Sequence, residues 1–184
     1  MVAFLRAHSD DRLTSSEEAR LAAMIRRSDN AAASEIRNLV GESAIVRLAQ
    51  RAGMKDFHYS SSWGLCRSSA RDQAAFMHDL DGLIPTRHRA FAHSLLRHVV
   101  GSQRWGIAKA PTPGWTLDFK GGWGISDGSH GGTVNHQVAL LQRHGARIGV
   151  AILTQGNPSQ GYGTATLEGI ADRLLAGLPR SIRR

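Results

Sequence analysis

Apolar residues recur at helical spacing through the first hundred positions and at strand spacing beyond them. In TSSEEARLAAMIRR, Leu21, Met24 and Ile25 keep a helical stripe, and Ser15 with Glu18 three residues on reads as a capping box. That pattern predicts a helix over 16–27. A second helix is predicted over 31–40, closed by Gly41, and a third over 42–52 on Ile45, Leu48 and Ala49, closed by Gly53. SARDQAAFMHDL turns Ala74, Phe76, Met77 and Leu80 inward as a fourth, and RHRAFAHSLLRHVV makes a fifth that ends at Gly101.

After Gly101 the segments shorten, and Gly, Trp and β-branched residues rise. Residues 105–108, 115–121, 134–143 and 147–154 read as strands, the last two joined across His144-Gly145-Ala146. RIGVAILT is nearly all apolar, as a strand covered on both faces would be. GTATLEGIADRLLAGL returns to helix with Leu167, Ile170, Ala171, Leu174 and Leu175 on one face. The order predicts one α+β domain over 1–184: a helical part over 1–100, then an antiparallel sheet with strands over about 104–154, covered by a C-terminal helix over the rest of 101–184.

Composition narrows the function classes. A length of 184 with 41% hydrophobic residues fits a globular chain with a substantial core. The net charge of +8 comes from dispersed arginines, including a terminal Arg180, Arg183 and Arg184. No basic run alternates with aromatics, so the excess reads as a solvated surface and no nucleic-acid partner is expected. No apolar run is long enough to span a bilayer, and the opening MVAFLRAHSDDR lacks the length and charge order of a signal peptide. Cys66 stands alone; His88, His93 and His98 spread around a helix, so no metal or other cofactor is expected.

Two stretches break the pattern. Ser28, Asp29 and Asn30 are weak helix formers placed between two helical segments, either as a plain break or with polar groups turned into a site. In LDFKGGWGISDG, Lys120 is one of three lysines, with Lys55 and Lys109, and is followed by Gly121 and Gly122. Either a glycine bulge ends a strand beside a solvated lysine, or a ligand lies against bare backbone next to a charge.

SDN followed by a K-G-G strand, a meander and a closing helix resembles the penicillin-recognising serine acyl-transfer family, which includes class A β-lactamases, DD-peptidases and related esterases. MIRRSDNAAASEIRNLVG, SSARDQAAFM and QRWGIAK...FKGGWG extend the likeness across 16–178. The resemblance implies a β-lactamase/transpeptidase-like fold and a cleft between the helical part and the sheet. Ser28 would pass a proton toward the leaving group and contact Lys120. Asn30 would donate to a substrate carbonyl, and Asp29 would be buried and fix the loop. Lys120 would attract an anionic group. Gly121 and Gly122 would let substrate lie along the strand, and Trp123 would form an aromatic wall or pack in the core.

The chain also departs from the family. No S-x-x-K occurs; Ser9-Asp-Asp-Arg12 and Ser34-Glu-Ile-Arg37 keep the spacing, but a guanidinium cannot act as base. The 27 residues before Ser28 are too few for the nucleophile helix and first strands, so the N-terminal strands are expected to be missing. Nothing like E-x-x-L-N precedes the helix near Ala70, Asp56 being the nearest carboxylate, and Gly121 stands where KTG has a hydroxyl. Two readings follow. One is a serine hydrolase of amides, lactams or esters that is inactive as this chain; the other is a nucleophile-free binding or partner protein using the same cleft. The expected partner is a small acyl or peptide substrate with an anionic group. An open edge at RIGVAILT would invite self-association or a complementing N-terminal fragment. The family habit implies an extracellular or periplasmic setting.

Overall fold

The computed structural model describes residues 1–110, 112–126 and 131–178, so the terminal Arg180, Arg183 and Arg184 lie outside the described residues. The helical part consists of α1 (Val2–Ala7), α2 (Ser15–Arg26), α3 (Asn30–Val40), α4 (Glu42–Arg51), α5 (Ala70–His78), α6 (Leu80–Leu83) and α7 (Arg89–Arg97). Strands β1 (Thr116–Ile125), β2 (Thr133–Arg143) and β3 (Ala146–Asn157) follow, and α8 (Gln160–Leu175) closes the fold. The α+β layout read from the sequence is the architecture observed.

Helix α1 had no counterpart in the pattern reading. Its Val2, Phe4 and Leu5 are buried with Leu21, Ile25 and Leu95 of the helical core. Complete burial of Leu5 and Leu21 stabilises by ~1.5–3 kcal/mol each. The cap of α2 is one residue earlier than predicted. Thr14 Oγ1 accepts from the Glu17 amide at 3.3 Å, and Glu17 Oε2 accepts from the Thr14 amide at 2.8 Å. Two overlapping matches compete here, and Glu17 has the extra partner, His8 Nε2 at 3.3 Å.

The sheet order is β1-β2-β3, antiparallel throughout. Both faces are covered, which is why Ala139, Leu140 and Leu141 are all fully buried. Leu140 joins the helical core, while Ala139 and Leu141 join Phe119, Val150, Leu167 and Ala171 under α8. Helix α5 lies so close to β3 that a Cβ at Gly149 would sit 2.0 Å from the Ala74 carbonyl oxygen. His144 and Gly145, with φ of 46° and 84°, form a two-residue turn, and Ala146 already pairs with Arg143. On its outer side β3 has no neighbouring strand among the described residues.

Two elements differ from expectation. Residues 105–108 are not a strand; Gly106–Ala108 is a 3-10 turn. Its backbone is satisfied by a side chain instead of a neighbouring strand: Gln137 Oε1 accepts from the Ile107 amide at 2.7 Å, and Gln137 Nε2 donates to the Trp105 carbonyl at 2.6 Å. Gly106, at φ +60°, leaves room for that glutamine, whose Oε1 would sit 2.2 Å from any Cβ there. On α8, the residues facing the sheet are Gly163, Leu167, Ala171 and Leu175. Ile170 and Leu174, expected on that face, are 40% and 56% exposed on its flank.

Candidate active site

The Ser-Asp-Asn stretch makes a tight turn between α2 and α3. Ser28 takes a left-handed backbone, φ 56°, which turns the chain without a glycine. Asp29 caps α3, its Oδ1 accepting from the Ala32 amide at 2.8 Å, while its own amide donates to the Ala23 carbonyl at 3.2 Å. Asp29 therefore fixes the loop, although it is half-buried rather than buried. Asn30 is the first residue of α3 and is exposed, without a hydrogen bond to Ser28 or Lys120.

Strand β1 brings Lys120 to Ser28. Lys120 Nζ donates to Ser28 Oγ at 2.5 Å and to the Gly121 carbonyl, and it lies 5.9 Å from the centre of the Trp123 ring. Ser28 Oγ in turn donates to Gln103 Oε1 at 2.8 Å, and Gln103 Nε2 donates to the Arg27 carbonyl at 2.9 Å. The lysine is held by a hydroxyl, a carbonyl and a ring face. Burial pushes its pKa down from 10.5 to about 8.

A cleft of about 890 Å³ opens at Lys120, lined by Gly122, Val138 and Leu153 of the sheet and by Leu65 and Arg67. Among the described residues Ser28 reaches it only through Lys120, and Asn30 and Trp123 do not line it. Gly122 is exposed, with nothing within 4 Å of a Cβ built on it. Gly121 also borders the cleft, but it is buried, and a Cβ there would meet the Trp105 ring at 3.4 Å. Trp123 is 38% exposed, packs edge-on against Trp105 at 5.9 Å, and keeps its ring 5.9 Å from the Lys120 ammonium.

Sequence reasoning missed His136, which borders the same cleft and pairs across the sheet with Gly122. Burial lowers its pKa, and its Nδ1 accepts from the Thr154 amide at 3.3 Å, so the neutral ring carries its proton on Nε2. Strand alternation places it on the Lys120 face, and that was the one available signal. Among the described residues no cluster of three or more His, Cys, Asp or Glu side chains could hold a metal ion, and no helix is long and apolar enough to cross a membrane.

The model of the beta-lactamase enzyme family matches residues 6–178. Among solved structures, the chain is similar to a class A beta-lactamase from Mycobacterium abscessus, at 19% identity and a TM-score of 0.73, over 95% of this chain and 80% of that one. It is also similar to the chromosome-encoded beta-lactamase of Vibrio parahaemolyticus, at 16% identity and TM-score 0.73, over 90% of this chain. A third likeness is to the beta-lactamase from Sphaerobacter thermophilus, at 20% identity and TM-score 0.70, over 88% of this chain. The chain spans 66% and 63% of the Vibrio and Sphaerobacter chains, just under two thirds of each. Comparison with curated proteins gives no match.

Proposed function

The chain belongs to the beta-lactamase enzyme family, and from that premise we propose that its cleft receives an anionic acyl compound, an amide, lactam or ester, at Lys120 and Ser28. The observation that carries this reading is the 2.5 Å contact between Lys120 Nζ and Ser28 Oγ at the side of the cleft. Among the described residues the ammonium is held by neutral groups, which leaves electrostatic capacity for a substrate carboxylate. The Ser28 hydroxyl accepts from Lys120 and donates to Gln103 Oε1, so Lys120 is the partner with which it would exchange a proton, while Gln103 orients the hydroxyl. Gly122 leaves the strand bare where an acyl compound would lie, and Trp123, packed edge-on against Trp105, sets its ring beside the ammonium.

Acyl transfer in this family needs an activated nucleophile, and these 184 residues contain no S-x-x-K. The reading for this polypeptide on its own is recognition without turnover, and the same fact favours the second reading, a binding protein. Both predict reversible binding through Lys120. Fluorescence anisotropy with a fluorescent penicillin should show salt-sensitive binding that Lys120→Met removes, with no label surviving denaturation. Absent binding at millimolar protein, or binding that Lys120→Met leaves intact, would overturn the proposal. Stoichiometric covalent label on a serine would overturn the absence of turnover.

A further inference from the structure

A second cluster of charges lies next to the site, on the same strand and the same face. Asp118 is fully buried two positions before Lys120, about 7 Å along β1. His93, on α7, points its Nδ1 at Asp118 Oδ2, 2.7 Å away, and its Nε2 at Asp81 Oδ1, 2.6 Å away. Each carboxylate has a second cationic partner. Arg97 Nε donates to Asp118 Oδ1 at 2.7 Å, and Arg147 of β3 donates to Asp81 of α6. Arg147 also donates to the His78 carbonyl at the end of α5, and Arg97 reaches Gln142 of β2 at 3.4 Å. These are the charged and titratable groups that face His93 from α6, α7, β1 and β3.

Only one form of the ring fits. An ionised carboxylate accepts and cannot donate, so a ring with a carboxylate oxygen at each nitrogen satisfies both contacts only as the doubly protonated imidazolium. The neutral ring would aim a lone pair at a carboxylate less than 3 Å away. The two acidic partners also raise the pKa of His93, the Asp118 bond being the larger influence.

We propose that His93, as an imidazolium clamped between Asp81 and Asp118, is a positioning residue that sets β1 against the helical layer and so holds Lys120 against Ser28. Three of the five clustered side chains come from the helical layer that also carries Ser28, and two come from the sheet that carries Lys120. When the ring loses a proton, one of its two bonds becomes a repulsion, and β1 is freed to move relative to α6 and α7. The inference rests on the reading of Lys120 and Ser28 as the site, but its test needs no substrate.

The chain has only Lys55, Lys109 and Lys120, so reductive ¹³C-methylation gives a lysine NMR spectrum that Lys120→Met assigns. In His93→Gln, the Lys120 titration should move at least one pH unit from about 8 back toward 10.5, as β1 loosens and water reaches the ammonium. Leu167→Ala, on the buried side of α8 against the other sheet face, should lower stability without moving that titration. In the unaltered protein, ¹⁵N spectra should show both His93 nitrogens protonated at pH 6.5, and the Lys120 signal should inflect at the His93 midpoint. A Lys120 titration unmoved by His93→Gln would overturn the inference. If that variant does not fold, a missing inflection in the unaltered protein would do the same. Penicillin binding tests the site itself, so loss of one result leaves the other interpretable.

Discussion

Asp118 and Lys120 share one face of β1 and are treated in opposite ways. Asp118 is fully buried and meets two cationic side chains, Arg97 and His93. Lys120 is largely buried and meets a hydroxyl, a carbonyl and an aromatic ring. A buried charge with opposite charges around it is a fastening, and taking away one member strands the others. A buried charge among neutral dipoles is an unfinished pair, and a bound anion would complete it. The difference separates the residue that holds the strand from the residue that faces the cleft.

The largest effect should come from Asp118→Asn, which leaves His93 and Arg97 without their shared carboxylate. Unfolding by urea should show a loss of about 3–5 kcal/mol. A loss below about 1 kcal/mol would mean that the cluster is not a fastening.

Lys120→Met should act in the other direction. The depression of its pKa from 10.5 to about 8 corresponds to about 3 kcal/mol against the folded state while the ammonium is charged. Below about pH 8 both states are protonated and that cost stands in full. Between about 8 and 10.5 the unfolded chain keeps a proton that the folded chain has released, so stability rises with pH. The methionine variant should gain up to about 3 kcal/mol at neutral pH and lose that alkaline rise. His93 contributes with the reverse sign. Its pKa is raised, so its contribution is complete below 6.5 and fades as pH climbs through the folded-state value. Unfolding midpoints taken from pH 5 to 10 would separate the two slopes, and a Lys120→Met profile parallel to the parent would break the contrast.

Trp123→Ala tests the ring beside the ammonium. A partly exposed cation–π contact contributes about 0.5–1 kcal/mol, so affinity for a fluorescent penicillin should change no more than about fivefold. A loss equal to that of Lys120→Met would make Trp123 a principal binding group.

Legibility in the sequence followed the distance between partners. Helices α2, α3, α4, α5 and α7 were readable because caps and apolar stripes act within a few residues, as was the His144-Gly145 turn. The contact between Ser28 and Lys120 was readable through motif order, although 92 positions separate them. What stayed hidden depended on distant side chains. Gln137 converts 105–108 from a strand into a turn from 30 residues away. His93 was set aside as one of several scattered histidines because its partners, Asp81 and Asp118, come from other elements. Helix α8 is apolar on two flanks, so periodicity alone could not say that Ile170 and Leu174 face outward.

The left-handed backbone of Ser28 sets two selective pressures against each other at a single codon. A serine at φ 56° stores strain of about 1 kcal/mol that a glycine would not. Screening for heat resistance alone should therefore favour Ser28→Gly, which relaxes the turn and discards the hydroxyl that meets Lys120 and Gln103. Screening for ligand capture should return serine at the same position. Thermal robustness and ligand use are rivals at residue 28, and a library selected both ways would divide there.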